Sequence, residues 1–113
     1  MIFSKNHIDK IISGEKTQTR RDWEQKQVKE GNSYRASESI FTERVNSPAF
    51  ILVTDVYKEK LGDLTPEDAN SEGGYTVEEF KQKWEKINNK WNDDKEIWVV
   101  EFEGFESDPR KSV

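Results

Sequence analysis

Chemically useful side chains stand close together near the beginning of the sequence. One lysine, two threonines and two arginines fall within six residues, in the order Lys16-Thr17-Gln18-Thr19-Arg20-Arg21. Because the sequence has no cysteine, a nucleophile here would be a hydroxyl or a water molecule. Lys16 would serve as its base if burial and the neighbouring arginines lowered the lysine pKa. The same residue types are also typical of a phosphate contact and of an ordinary solvated strand face.

The whole chain is acidic, with a net charge of −5, but its cations are concentrated around this run. Between Lys16 and Arg35 there are six cations and three anions, while residues 61–113 carry 7 cations and 14 anions. An acidic protein neutralises many phosphates poorly, so we expect no long DNA duplex as a partner. A small basic cleft for one nucleotide or a short RNA loop fits this charge distribution.

A helix and a strand must position the run. Apolar residues recur at helical spacing at Ile8, Ile11 and Ile12, which predicts a helix in front of it. We expect Asn6 to cap this helix and Gly14 to end it.

Alternating β-branched residues after that turn predict a strand from Thr17 to Trp23. Its two faces would carry Thr17, Thr19 and Arg21 on one side, and Gln18 and Arg20 on the other. On a regular strand Lys16 would lie opposite Thr19. The two side chains can therefore meet only if Lys16 lies in the turn that follows the helix.

Further strands are expected at Ile2 and Phe3, from Tyr34 to Ser37, from Phe50 to Tyr57 and from Ile97 to Phe105. In the third of these, alternation predicts one shared face, made of Phe50, Leu52 and Val56. In the last it predicts another, made of Trp98, Val100 and Phe102.

Two more helices have well-marked starts. Thr65 precedes Pro66 and two acids, and Thr76 forms a capping box with Glu79. Glycines 73 and 74 end the first of these helices. The second carries an apolar stripe at steps of three and four that we expect to be buried, made of Val77, Phe80, Trp84, Ile87 and Trp91.

This order of elements and three short motifs resemble the ASCH family of PUA-like domains, from Phe3 to Phe105. The motifs are residues 11–21, Gly62-Asp63-Leu64-Thr65 and Glu72-Gly73-Gly74-Tyr75-Thr76. The resemblance implies an α+β fold, with a small PUA-like mixed β-barrel of about five or six strands and two or three helices packed on it. We expect a single domain over residues 1–106, followed by a flexible C-terminal tail over residues 107–113.

Within that family, the small bacterial N4-acetylcytidine amidohydrolases resemble this chain in their Gly-x-Lys-Thr-x-Thr run and in a later glutamate. The resemblance implies a catalytic set of Lys16, Thr19 and Glu72. Thr19 would be the nucleophile, Lys16 its base, and Glu72 would hold the cytosine amino edge or shuttle a proton to it. Direct attack by water, with Lys16 as the oxyanion donor, is an open alternative.

A non-catalytic RNA-binding module is the main competing function, and a protein-binding adaptor is a third. The candidate contacts to a nucleoside or RNA are Thr17, Arg20, Arg21, Trp23 and Tyr34, the last two as stacking or core aromatics. We expect no cofactor, and one histidine without cysteine gives no specific metal site. No secretion signal or membrane anchor is expected, with the cytoplasm as the default location and a monomer as the default state.

Overall fold

A four-stranded antiparallel sheet is the centre of the structure, a computed structural model that describes residues 1–110. Its strands are β1 (Gln18–Arg21), β2 (Ser33–Ala36), β3 (Ala49–Lys60) and β4 (Glu96–Phe105). They are arranged in the order β1-β4-β3-β2 and curl into a half-barrel. The two long strands β3 and β4 pair along most of their length and form the centre of the sheet.

Three helices accompany the sheet: α1 (Lys5–Ser13), α2 (Pro66–Ser71) and α3 (Val77–Asn88). The α+β, PUA-like class and the number of helices are as predicted. The sheet has four strands among the described residues, rather than about five or six. The expected opening strand is reduced to a single parallel bridge between Ile2 and Ser37, because only one residue pair meets there.

The helix ends follow the local sequence closely, with one correction. Thr65 and Thr76 both form complete capping boxes at the starts of α2 and α3. Gly14 ends α1 in the left-handed conformation, with φ of 85°. The N-cap of α1 is Ser4, and not Asn6, because the Ser4 hydroxyl accepts the backbone N–H of His7.

Two apolar clusters lie on the two faces of the sheet. Alternate residues of β4 supply both: Val100 and Phe102 pack with α1, while Ile97 and Val99 pack with α2 and α3. Trp98 packs against the first cluster, as the predicted face of this strand required. Strand β4 is therefore the central layer between α1 and the other two helices.

The predicted face of β3 was wrong because of a β-bulge. Pairing with β4 shifts between Val53 and Asp55, and an inserted residue reverses which side chains point to a given face. The first core cluster consequently contains Ile51 and Val53 before the shift and Val56 after it. Val56 does not share that face with Leu52.

The apolar stripe of α3 is buried only in part. Phe80 and Trp84 lie in the second cluster, and Val77 and Trp91 pack against it. Ile87 is 80% exposed, which contradicts the prediction that the whole stripe is buried. The last turn of the helix extends past the core, and Trp91 lies beyond α3, which ends at Asn88.

Helix α1 lies against β4 at Gly104, where a side chain would not fit. A Cβ atom there would come within 2.2 Å of the carbonyl oxygen of Ile11. The close approach fixes the end of α1 over the sheet, and the turn at Gly14 then leads the chain directly into β1.

Part of the predicted tail is described. Arg44 donates two hydrogen bonds to the carboxylate of Asp108, at 2.6 and 2.8 Å, while residues 111–113 lie outside the described residues. Within residues 1–110, no helix combines the length and the apolar character that crossing a bilayer requires.

Candidate active site

A cavity of about 640 Å³ opens beside the start of β1. Side chains of α1, β1 and α3 line it, together with the turns between helices. Its polar wall includes Lys16, Thr19, Arg20, Arg21 and Glu72, and its apolar wall includes Phe3, Phe80, Trp84 and Ile87. The three residues of the expected catalytic set therefore line one cavity.

Lys16 lies in the segment between α1 and β1, and not on the strand. Its backbone N–H donates to the carbonyl of Lys10, which holds the segment against the end of the helix. The side chain is only 1% exposed. Its ammonium donates to Glu72 twice, to the backbone oxygen at 2.7 Å and to Oε1 at 3.1 Å.

Glu72 is the residue that follows α2, and its carboxylate lies between two cations. Oε1 accepts from Lys16, and Oε2 accepts from Nη1 of Arg20 at 2.9 Å. Side-chain exposure is 4% for Glu72 and 0% for Arg20. Glu72, the glutamate named by the resemblance, therefore contacts Lys16 directly.

Arg20 is surrounded by acceptors. Besides Glu72, it donates to Glu59 at 2.9 Å and to Gln18 at 2.9 Å, and it lies 3.4 Å from an Asp68 oxygen. Because three carboxylates surround one guanidinium, the charge of Arg20 is compensated within the protein.

Thr19 and Arg21 share a face of β1, as the alternation predicted. The Thr19 hydroxyl oxygen accepts from Nε of Arg21 at 3.1 Å. Arg21 also donates to the carbonyl of Ile2 at 2.8 Å, and its guanidinium lies 4.8 Å from the centre of the Phe3 ring. Thr19 itself is 4% exposed. This geometry leaves the hydroxyl proton of Thr19 available for donation.

Burial lowers the pKa of Lys16 below its ordinary value, and the adjacent Arg20 and Arg21 act in the same direction. Glu72 opposes this effect, because a neighbouring carboxylate favours the charged ammonium. The lowering by burial and by the arginines was expected from the sequence. The balance between this lowering and the effect of Glu72 keeps the lysine pKa below that of an exposed lysine while the ion pair is intact.

Among the lining residues that the sequence did not indicate as site residues, two contact each other. His7 and Tyr75 both line the cavity, and His7 Nε2 lies 2.7 Å from the Tyr75 hydroxyl. The sequence indicated no metal site at His7, and Tyr75 entered only as part of a short motif. Because 68 residues separate the pair along the chain, local patterns carry no signal of their contact.

Three of the expected binding residues lie elsewhere. Trp23 and Tyr34 pack against the first core cluster, and the Tyr34 hydroxyl accepts the backbone N–H of Lys29. Thr17 makes backbone hydrogen bonds to Ser71 and Phe102. These three side chains are not part of the cavity lining within residues 1–110.

The cavity lining contains five cationic side chains and two carboxylates: Lys16, Arg20, Arg21, Lys83 and Lys86, with Asp22 and Glu72. For residues 1–110, no group of three histidine, aspartate or glutamate side chains has an arrangement that would hold a metal ion.

A family model of the ASCH domain matches residues 1–106 of the chain. Protein EF3133 from Enterococcus faecalis V583, described by the family model DUF984, has a similar structure, with a TM-score of 0.65 and 19% identity. The ASCH domain of Lactobacillus crispatus JV V101 gives a TM-score of 0.59 and 15% identity. Each match covers 91% of this chain and 76% of the other. At these identities the two structures support the fold alone, and no curated protein matches the chain.

Proposed function

Because the chain belongs to the ASCH domain family, we propose that its cavity binds a modified nucleoside and hydrolyses the acetyl amide of N4-acetylcytidine. The family supports an RNA-binding or hydrolase-type module. The observation that carries the finer proposal is the buried contact between Lys16 and Glu72 in the cavity that Thr19 also lines. A base, its counter-ion and a hydroxyl nucleophile are the parts that such a hydrolysis requires.

The dimensions and charge of the cavity support a small anionic or polar ligand. A volume of about 640 Å³ lies in the range usual for small-molecule sites. Five cationic side chains and two carboxylates line the cavity, and with Glu59 and Asp68 beside Arg20 the balance is five cations against four carboxylates. The apolar side chains Phe80 and Trp84 on the α3 side offer a surface against which a base can pack.

In the proposed first step, Lys16 acts in its neutral form after losing a proton to Glu72 or to solvent. It takes the hydroxyl proton of Thr19 as Oγ1 attacks the acetyl carbonyl carbon. The tetrahedral intermediate then breaks its bond to N4, which receives the proton from Lys16, and cytidine leaves.

The second step removes the acetyl group from the enzyme. A water molecule, deprotonated by Lys16, attacks the acetyl ester on Thr19 and releases acetate, and Thr19 Oγ1 recovers its proton. Arg21 supports both steps, because its Nε donates to Thr19 Oγ1 and stabilises the charge that develops on this oxygen.

A second candidate function is RNA binding without catalysis, and one observation favours it. The Lys16 ammonium already donates two hydrogen bonds to Glu72, which is the arrangement of a protonated structural lysine. In this alternative the cavity holds an unpaired base or nucleoside, and no bond is broken.

The two functions are separated by measuring acetate and cytidine released from N4-acetylcytidine. We expect turnover by the wild-type protein and a loss of about 100-fold to 10,000-fold in Lys16→Met. Lys26→Met is the matched control, because Lys26 forms only a surface pair with Glu30, and it should retain the wild-type rate. Absence of acetate with the wild type, together with salt-dependent RNA binding, would favour the non-catalytic function.

A further inference from the structure

His7 and Tyr75 form a contact in the cavity that the proposed mechanism does not use. His7 belongs to α1, and Tyr75 belongs to the turn between α2 and α3. The 2.7 Å separation between His7 Nε2 and the Tyr75 hydroxyl oxygen is that of a good hydrogen bond. The pair joins two walls of the cavity close to Glu72.

Both partners are uncharged at neutral pH. Burial, reinforced by Lys16, Lys10 and Lys83, lowers the pKa of His7 to about 4. Burial, with the charge of Glu72 as the next cause, raises the pKa of Tyr75 above its ordinary value. The contact is therefore a hydrogen bond between neutral groups, and the phenol keeps its proton.

The ring of Tyr75 is held in place from several sides. The ammonium of Lys10 lies 4.7 Å from the ring centre and that of Lys83 lies 5.1 Å from it. Lys10 also donates to the carbonyl of Gly73 at 2.7 Å, so the turn that carries Tyr75 is fixed to α1. A ring held in this way presents its hydroxyl in a constant position.

Most charged donors of the polar wall already have acceptors within the protein, although Nε of Arg20 has none among residues 1–110. Lys16 donates to Glu72, and Arg20 donates to carboxylates and to an amide oxygen. Arg21 donates to Thr19 and to a backbone carbonyl. Like the Thr19 hydroxyl, whose proton the proposed mechanism uses in the attack, a Tyr75 hydroxyl that accepts from the N–H of a histidine still has its own proton to donate.

We propose that Tyr75 donates its hydroxyl proton in a hydrogen bond to the acyl carbonyl oxygen of the ligand, with His7 as the positioning residue that orients the phenol. This inference rests on the proposed function and names the group that selects an acylated base over the unmodified one. His7 holds its proton on Nε2 and donates it to Tyr75, and Tyr75 donates to the oxygen on which negative charge develops during attack.

The test compares two probes, N4-acetylcytidine and cytidine, because only the first carries the acyl oxygen. Affinities are measured by calorimetry in a Lys16→Met background, which prevents turnover under the proposed mechanism. Adding Tyr75→Phe should weaken binding of N4-acetylcytidine about 3-fold to 10-fold and leave binding of cytidine unchanged. In the protein with Lys16 intact, Tyr75→Phe should reduce kcat about 100-fold.

Tyr57→Phe is the matched control. The Tyr57 hydroxyl also donates a short hydrogen bond, of 2.6 Å to Glu101, but Tyr57 packs against the second core cluster. Tyr57→Phe should change neither the affinities nor kcat. An effect seen only in Tyr75→Phe is then specific to the Tyr75 hydroxyl and is not a general result of removing a tyrosine hydroxyl.

The role of His7 is tested by rescue. His7→Phe should lower kcat with little change in the affinity for cytidine, whereas His7→Gln, which retains a donor, should restore most of the rate. Equal rates in the two variants would show that His7 does not orient Tyr75.

The outcomes separate this inference from the proposed function. If the wild type hydrolyses N4-acetylcytidine and Tyr75→Phe leaves both kcat and the preference for the acetylated probe unchanged, the inference is overturned and the proposed function stands. If no hydrolysis occurs but Tyr75→Phe abolishes the preference, the catalytic proposal fails and the contact is supported. If the wild type neither hydrolyses nor binds the acetylated probe, both fail.

Discussion

At the scale of single residues, the site is organised around one carboxylate shared by two cations. Glu72 accepts from Lys16 and from Arg20, and all three side chains are buried. Removing charges from water is costly, and their mutual attraction offsets this cost only while the partners remain together. The network therefore couples the integrity of the site to the stability of the fold.

Replacing Glu72 with glutamine should destabilise the protein by about 3 kcal/mol. The variant keeps the volume and an acceptor oxygen, but Lys16 and Arg20 lose the negative charge between them. The measurement is the free energy of unfolding in urea, with Glu85→Gln as control because Glu85 is exposed on α3. Equal stability of the two variants would show that the charge of Glu72 contributes nothing.

His7 predicts a pH dependence of stability. In the unfolded chain His7 takes up a proton near its ordinary pKa of 6.5, whereas in the folded protein this pKa is about 4. Between these values the unfolded state binds more protons, so lowering the pH destabilises the fold and raising it to about 6.5 recovers the stability. Since the ring is partly exposed, solvent screening limits the effect to about 1 kcal/mol.

The contribution of His7 is isolated by comparison with His7→Gln. Urea unfolding at pH 7 and at pH 4.5 should show a smaller loss of stability in the variant, because His7 is the only histidine in the sequence. An equal loss in both proteins would mean that His7 does not titrate differently in the folded state.

The run from Lys16 to Arg21 was recognisable because its residues are adjacent in sequence. The partners of that run were harder to predict. Glu59 and Asp68 reach Arg20 from 39 and 48 positions away, and sequence periodicity describes only neighbours on one element. The resemblance matched Glu72 to a catalytic glutamate, whereas the local sequence does not indicate the contact of His7, which depends on packing between two helical regions.

At the scale of elements, the turn after α2 determines where Glu72 points. Gly73 and Gly74 have φ of 146° and 80°, a region that other residues enter only at a cost. A Cβ atom on Gly74 would lie 2.3 Å from Oε1 of Glu15. The turn must therefore keep this backbone conformation for Glu72 and Tyr75 to reach the cavity.

Gly74→Ala should destabilise the protein by about 1 to 3 kcal/mol and should also lower turnover of N4-acetylcytidine. Gly31→Ala is a suitable control, because Gly31 has φ of 85° but no atom near its added Cβ. Thermal unfolding measures the backbone strain that an alanine at positive φ causes in both variants. The activity assay shows whether the Gly74 variant also moves Glu72 and Tyr75. Comparable activity in the two variants would contradict a positioning role for the turn.

The starts of α2 and α3 were the most predictable features, since the capping residues Thr65 and Thr76 act through bonds to their own first turns. The bulge after Val53 was not predictable, because it depends on how β3 pairs with β4. The exposure of Ile87 has a similar cause. An apolar stripe in the sequence shows which face of a helix is buried. How many turns of that face are covered depends on the packing of the rest of the chain.

At the scale of the whole molecule, the distribution of charge favours a small ligand for the proposed site. The chain carries a net charge of −5, yet five cations line the cavity. A long duplex would meet the acidic surface beyond the cavity, whereas a nucleoside would contact only its lining. Small ligands are therefore favoured over long nucleic acids.

Fluorescence anisotropy with a labelled DNA duplex should show no saturable binding below about 10⁻⁴ M at physiological salt. The same protein should retain its turnover of N4-acetylcytidine under these conditions. Micromolar binding of the duplex would contradict the view that the acidic surface excludes it.

The measurement that tests the central proposal most directly is steady-state hydrolysis of N4-acetylcytidine by the wild type, Thr19→Ser and Thr19→Val. Serine retains the nucleophilic hydroxyl, while valine keeps the shape of threonine without it, and thermal unfolding checks that each variant is folded. We predict turnover by the wild type, measurable turnover by Thr19→Ser, and a loss of at least about 1,000-fold in Thr19→Val. Absence of acetate release by the wild type, or an unchanged rate in Thr19→Val, would contradict the proposal that Lys16, Thr19 and Glu72 form an amidohydrolase site.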